Sequence, residues 1–214
     1  MTKIEKISKS FKSARGELKV LNDFSALVKE GQFFGIAGKS GAGKSTLLSI
    51  IAGLQEPDSG RILIEETDIF KLDDKKRSAF RNQNIGFVSQ EQSFLANLTV
   101  LDNVRLPASI GGTVDEGESI ARAKELLESL GISALADCYP GELSGGENHR
   151  ILIARALMND PSIILADEPT ASLDREQADA VIEIFKKLAE SGKTVIMVSH
   201  DQEALKACDE VIRL

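Results

Sequence analysis

The segment GKSGAGKS at positions 38–45 fits the spacing G-x-x-x-x-G-K-[ST], in which each residue type answers a need of phosphate binding. Gly38, Gly41 and Gly43 let the backbone approach phosphate oxygens with no Cβ in the way, so that amide hydrogens turn inward. Lys39, Ser40 and Ala42 complete the cradle. Lys44 supplies charge to β- and γ-phosphates, the Ser45 hydroxyl suits a Mg²⁺ ligand, and Thr46 reaches the α-phosphate. A second run, ILADE at 164–168, carries apolar residues up to a carboxylate pair. Asp167, at the strand edge, is placed to hold Mg²⁺ through water. Glu168, one residue on, is better placed as the base on an attacking water. LSGGE at 143–147 supplies another anion-binding feature: Ser144 is a natural N-cap, and Gly145 and Gly146 expose amides at a positive helix end.

These residues need elements to hold them, and the hydrophobic pattern predicts an alternation of strands and helices. QFFGIAG (32–38), RILI (61–64), NIGFVS (84–89), SIILAD (162–167) and TVIMVS (194–199) read as strands, the last apolar on both faces as a central parallel strand requires. KSTLLSIIAGL (44–54) reads as the helix after the phosphate loop, with Gly53 as its stop. Apolar positions 120, 123, 126, 127 and 130, with Asp115 as cap and Gly131 as terminator, predict an amphipathic helix. Thr99–Leu106 reads as another, and LSGGE opens a helix running through Arg150–Asn159 before Pro161. The first 30 residues suggest short strands at Lys3–Ser8, Leu18–Leu21 and Phe24–Val28, an antiparallel edge sheet.

Composition excludes several classes. Asp and Glu number 33 against 26 Lys and Arg, a net charge of −7, which argues against general nucleic-acid binding. No apolar run approaches the roughly 18 residues of a membrane span. The two cysteines, Cys138 and Cys208, form no CxxC pair and read as reduced thiols of a cytosolic protein. Aromatics are few, nine Phe and Tyr139, so each one near a motif is a specific candidate.

Six ordered motifs run through essentially the whole chain: GKSGAGKS (38–45), the glutamine of IGFVSQ (85–90), LSGGE (143–147), ILADE (164–168), ASLD (171–174) and VSH (198–200). In this order they resemble the ATP-binding cassette family. The resemblance implies an α/β fold: a P-loop NTPase core with a parallel sheet, an N-terminal antiparallel edge sheet and an inserted helical lobe. It implies one domain over 1–214, with 1–90 and 160–214 as the nucleotide-binding core lobe and 91–159 as the helical lobe. ATP and Mg²⁺ are the implied cofactors. Phe11 lies where family members stack the adenine. Gln90 would touch Mg²⁺ or the attacking water and connect the lobes, and His200 would contact the γ-phosphate and orient the water and Glu168. Asp174 would help form the contact between two subunits, while Ser144 and Gly146 would bind the γ-phosphate of a nucleotide held by another subunit. His149 has no such role.

A complete site in this family needs two cassettes packed head to tail, so the resemblance implies a homodimer or paired cassette in the ATP-bound state. It implies, too, an ATPase coupled to transport through separate integral membrane permease subunits, peripheral on the inner face of the cell membrane. The segment QEQSFLANLTVLDNVRLP (90–107) lies where that membrane contact would form. Spacing and wording look like the lipoprotein-releasing, macrolide-export and antimicrobial-peptide group, although SGGENHR (144–150) and DEPTASLD (167–174) stand where that group commonly has SGGEQQR and DEPTGNLD. The rival reading is a nucleotide-switched regulatory module of the cell-division type, signalling through a membrane partner without transport. The interval between the nucleotide motifs leaves no room for a long coiled coil, and a single copy of each motif differs from the two-cassette translation factors.

Overall fold

The computed structural model describes residues 1–13, 16–91, 93–111 and 115–214. In chain order the first elements are β1 (Thr2–Ser13), β2 (Gly16–Val28), β3 (Phe33–Ala37), α1 (Lys44–Ile51), β4 (Ser59–Ile64), β5 (Thr67–Asp68), α2 (Asp74–Asn84) and β6 (Ile85–Val88). Then come α3 (Val100–Gly111), α4 (Glu116–Ser129), α5 (Gly145–Ala156), β7 (Ile163–Asp167), α6 (Arg175–Glu190), β8 (Thr194–Ser199), α7 (Gln202–Leu205) and β9 (Glu210–Arg213).

Five parallel strands form the central sheet in the order β6-β7-β8-β3-β9. Strict alternation sorts their side chains into two layers. Phe34, Ile36, Leu165, Ile196 and Val198 face a core shared with α1 and the N-terminal sheet. Phe33, Ala37, Ile164, Ala166, Val195 and Met197 face a second core shared with α5 and α6. With both faces covered, β3, β7 and β8 are buried at every position, which is why their sequences read as unbroken apolar runs. The N-terminal sheet is antiparallel, β2-β1-β4-β5. Here the expected short strands are two long ones: Leu18–Leu21 and Phe24–Val28 belong to the single strand β2. Register shifts between Ile4 and Ser10 absorb the irregularity that makes the sequence look interrupted.

Helices α3, α4 and α5 pack on one another, the expected helical lobe. The sequence predicts α3 to end before Pro107, but it runs through to Gly111. Val104 and Ala108, one turn apart, are both buried, and Asn82 Nδ2 donates to the Pro107 carbonyl at 3.1 Å, so packing overrides the proline. Helix α2 has no buried residue and hence no apolar stripe to betray it. Its local signal is Asp73, whose side chain accepts from the Lys76 amide. Among the described residues no helix is long and apolar enough to cross a membrane.

Candidate functional site

The carboxyl ends of the parallel strands converge on one cleft of about 440 Å³, lined by residues of the phosphate loop with Gln90, Glu168, His200 and Val20. The loop leaves β3 and enters α1, whose N-cap Gly43 has φ +93°, while Gly41 has φ +78°. A Cβ on Gly43 would stand 2.6 Å from Val20 Cγ1, so the hairpin β1–β2 closes directly over the loop and only glycine fits there. Lys44 is buried, and its Nζ donates to the Gly38 carbonyl at 2.8 Å and the Lys39 carbonyl at 3.1 Å. It also lies 3.1 Å from Glu168 Oε1.

Glu168 follows β7 with φ +47°, a left-handed conformation that costs a non-glycine residue about 1–3 kcal/mol and is held only where surroundings fix it. The fixing contacts are plain. Its amide donates to the Val198 carbonyl, and its Oε2 accepts from Ser199 Oγ at 3.1 Å and the His200 amide at 3.2 Å. His200 Nδ1 stands 2.8 Å from the same oxygen. Burial pushes the Glu168 carboxyl up, but the His200 and Lys44 hydrogen bonds outweigh it and leave the group below the usual carboxylate range. Ser199, fully buried, thus ties Glu168 to the turn after β8, its Oγ also accepting from the Asp201 amide at 3.0 Å, a role no local pattern announces.

Asp167 behaves oppositely. Burial and the neighbouring Glu168 charge push its carboxyl up, with Ser45 and Lys44 pulling against them. Its Oδ1 is buried without a hydrogen-bond partner. A buried carboxylate with one unmatched oxygen, its pKa pulled down by the Ser45 hydroxyl at the end of the phosphate loop, fits a hard oxygen-ligated cation. No group of three or more His, Cys, Asp or Glu among the described residues could hold a metal alone, so water and phosphate oxygens would complete the shell.

The signature does not line this cleft. Ser144 caps α5 in a reciprocal box with Glu147: its amide and hydroxyl donate to Glu147 Oε2 at 2.8 and 2.6 Å, and its Oγ accepts from the Glu147 amide. The helix therefore starts at Gly145, as the expected N-cap at Ser144 requires. A Cβ on Gly146 would lie 2.8 Å from Gln177 Oε1, and one on Gly145 3.8 Å from Leu173, so the signature abuts the ASLD turn. Asp174 caps α6 there, accepting from the Gln177 amide at 2.9 Å. Phe11 is also outside the lining. It is exposed, pairs across the strand with Leu18, and has the Lys9 ammonium 5.8 Å from its ring centroid.

Residues 21–171 match the family model of the ABC transporter. The chain belongs to the ABC transporter family. The cassette is 42% identical to the lipoprotein-releasing system ATP-binding protein LolD of Bacteroides thetaiotaomicron, over all of this chain and 96% of that protein. It is 39% identical to the macrolide export ATP-binding/permease protein MacB of Aggregatibacter actinomycetemcomitans, over 99% of this chain and 33% of that one. Both lie in the group that the sequence resembles. Among solved structures it superposes on the dimeric bacterial ABC transporter cassette MJ0796 with a TM-score of 0.92 and 38% identity, covering 100% and 94% of the two chains. A post-hydrolysis form of MJ0796 bound to ADP and Pi matches with the same score. The cassette is thus an ABC transporter ATP-binding subunit with the α/β architecture expected of it.

Proposed function

We propose that this chain hydrolyses ATP as half of a pair of cassettes and drives separate membrane subunits of an exporter-type transporter, from the inner face of the cell membrane. One observation carries the reading: the phosphate loop, Gln90, Glu168 and His200 share a cleft that Ser144, Gly145 and Gly146 of the same chain do not line. A second copy, packed head to tail, brings its signature amides to the γ-phosphate, with Asp174 at the contact. The dimeric arrangement of MJ0796 and the export and release systems of MacB and LolD support this.

In this reading the phosphate loop cradles the triphosphate and Lys44 exchanges Glu168 for β- and γ-phosphate oxygens. Glu168, freed of that cation, takes the proton of the attacking water, and His200 orients both. Ser45 and Gln90 would hold Mg²⁺, with Asp167 acting through water; when bound, the ion neutralises phosphate charge. Phe11, exposed on the hairpin that covers the loop, stacks the adenine. The core lobe (1–90 and 160–214) binds nucleotide, and the helical lobe (91–159) meets the membrane subunits.

Purification of the native chain from membranes, followed by ATPase assays with and without the recovered protein, tests the reading. An integral membrane partner that alters turnover several-fold and restores vectorial movement of cargo in vesicles is expected. A partner that responds to ATP but moves no cargo would establish a regulatory module instead.

A further inference from the structure

The stretch of β1 that carries Phe11 is laddered on one side only. Pairing with β2 runs on to Ser13 opposite Gly16, whereas pairing with β4 stops at Ser8 opposite Ser59. On the β2 side the ladder slips as well: Lys9 faces Leu21 and Ser10 faces Lys19, so Val20 stands outside the register as the extra residue of a bulge. Val20 is the residue that roofs Gly43. A strand end held only in this way would let the ring of Phe11 swing with it.

One residue takes the place of the missing strand. Asp58, in the turn before β4, donates its amide to the Ser8 carbonyl at 2.9 Å. Its Oδ2 accepts from the Ser10 amide at 2.6 Å, and its Oδ1 accepts from Lys9 Nζ at 2.9 Å. Three consecutive residues of β1 are thus gripped from one point. The Lys9 and Ser10 bonds hold the Asp58 carboxyl below the usual carboxylate range. An exposed ion pair alone contributes little, but this carboxylate also holds a main-chain amide, which fixes its place. Lys9, most of whose side chain is covered, stands over the Phe11 ring, 5.8 Å from its centroid. The ammonium is drawn to one face of that ring and leaves the other to a flat partner.

We propose that Asp58 is a positioning residue for the nucleotide base: through Lys9 and the Ser10 amide it holds the ring of Phe11 in place for the adenine to stack. This rests on the assignment of Phe11 to the adenine and adds to it the groups that fix the ring. The cation behind the ring also draws π-electron density from the free face, which favours stacking against an electron-rich purine.

Calorimetric titration of the full chain with Mg²⁺ present, using ATP and inorganic tripolyphosphate as probes, tests the assignment. Asp58→Ala is expected to weaken ATP about three- to tenfold and to leave tripolyphosphate, which has no base, within about twofold of the native value. Lys9→Met keeps the stem, removes the charge and should weaken ATP in the same direction by less. Phe11→Ala should weaken ATP about tenfold. Asp58→Ala added to Phe11→Ala should bring no further loss, because a residue that acts through the ring then has nothing to hold. Thermal melts check folding. Asp58→Asn, which keeps an acceptor for the Ser10 amide and loses the charge pair, takes the place of Asp58→Ala if the latter unfolds the chain. Equal weakening of ATP and tripolyphosphate would overturn the proposal, since Asp58 would then support the phosphate loop instead of the ring. Native ATP affinity in Asp58→Ala, or losses that simply add with those of Phe11→Ala, would overturn it while the adenine assignment stands. Native ATP affinity in Phe11→Ala would overturn that assignment and the proposal with it.

Discussion

Lys44 Nζ lies 3.1 Å from Glu168 Oε1, both side chains buried, so the lysine of the phosphate loop is neutralised by the carboxylate proposed as the base. The pair resolves a local problem of charge burial. In the proposed mechanism a nucleotide displaces the carboxylate from the lysine, coupling the arrival of phosphate to release of the base.

Glu168→Gln keeps the hydrogen-bonding shape but removes the proposed base. ATP should still bind, with turnover reduced about 10²- to 10⁴-fold in a steady-state phosphate-release assay. Size-exclusion chromatography with ATP should show a persistent dimer. Near-native turnover would remove Glu168 from the role.

Because Ser144–Gly146 do not line their own chain's cleft, specific activity should fall as the isolated chain is diluted. ATPase rate per molecule, measured alongside sizing by light scattering, gives the check. A rate that stays constant where only monomer is present would show that one copy suffices.

Gly86 is set by packing. A Cβ there would meet the Ala156 carbonyl oxygen at 2.5 Å and Ile164 Cδ1 at 2.9 Å, and the carbonyl ends α5 and cannot move alone. Gly86→Ala should cost about 1–3 kcal/mol, read as a lowered denaturant midpoint with an unchanged slope. Gly141, whose Cβ would have open space, serves as the control and should lose little.

Cys208 packs beneath β3, where a Cβ on Gly35 would come within 2.9 Å of its Sγ. Burial first, then the Asp209 charge, push its thiol up to about 12. The thiolate is the reactive form and is favoured only as pH rises toward that value, so at pH 8 about one molecule in 10⁴ carries it. Iodoacetamide at pH 8 should leave Cys208 unmodified by mass spectrometry in the folded chain and label it after unfolding. Rapid labelling of the native form would contradict the burial.

Much of this was legible before any fold was known. Strands such as TVIMVS announced burial on both faces, and Val195 and Met197 do face one core while Ile196 and Val198 face the other. The spacing of GKSGAGKS located the loop, and Ser144 its cap. Helix α2 escaped because it buries nothing, and the run of α3 past Pro107 because the compensation comes from Val104, Ala108 and a distant Asn82.

By itself, the sequence determined which side chains can handle phosphate, metal and water, and where strands end to present them, since these depend on residue type and near-neighbour spacing. Only the tertiary structure decided that Lys44 and Glu168 meet, that Val20 roofs Gly43, and that the signature abuts Gln177 rather than its own cleft. It alone brought Arg81 and Arg155 to one groove. Those relations join residues far apart in the chain, and strand order and helix packing, which leave no local period, set them.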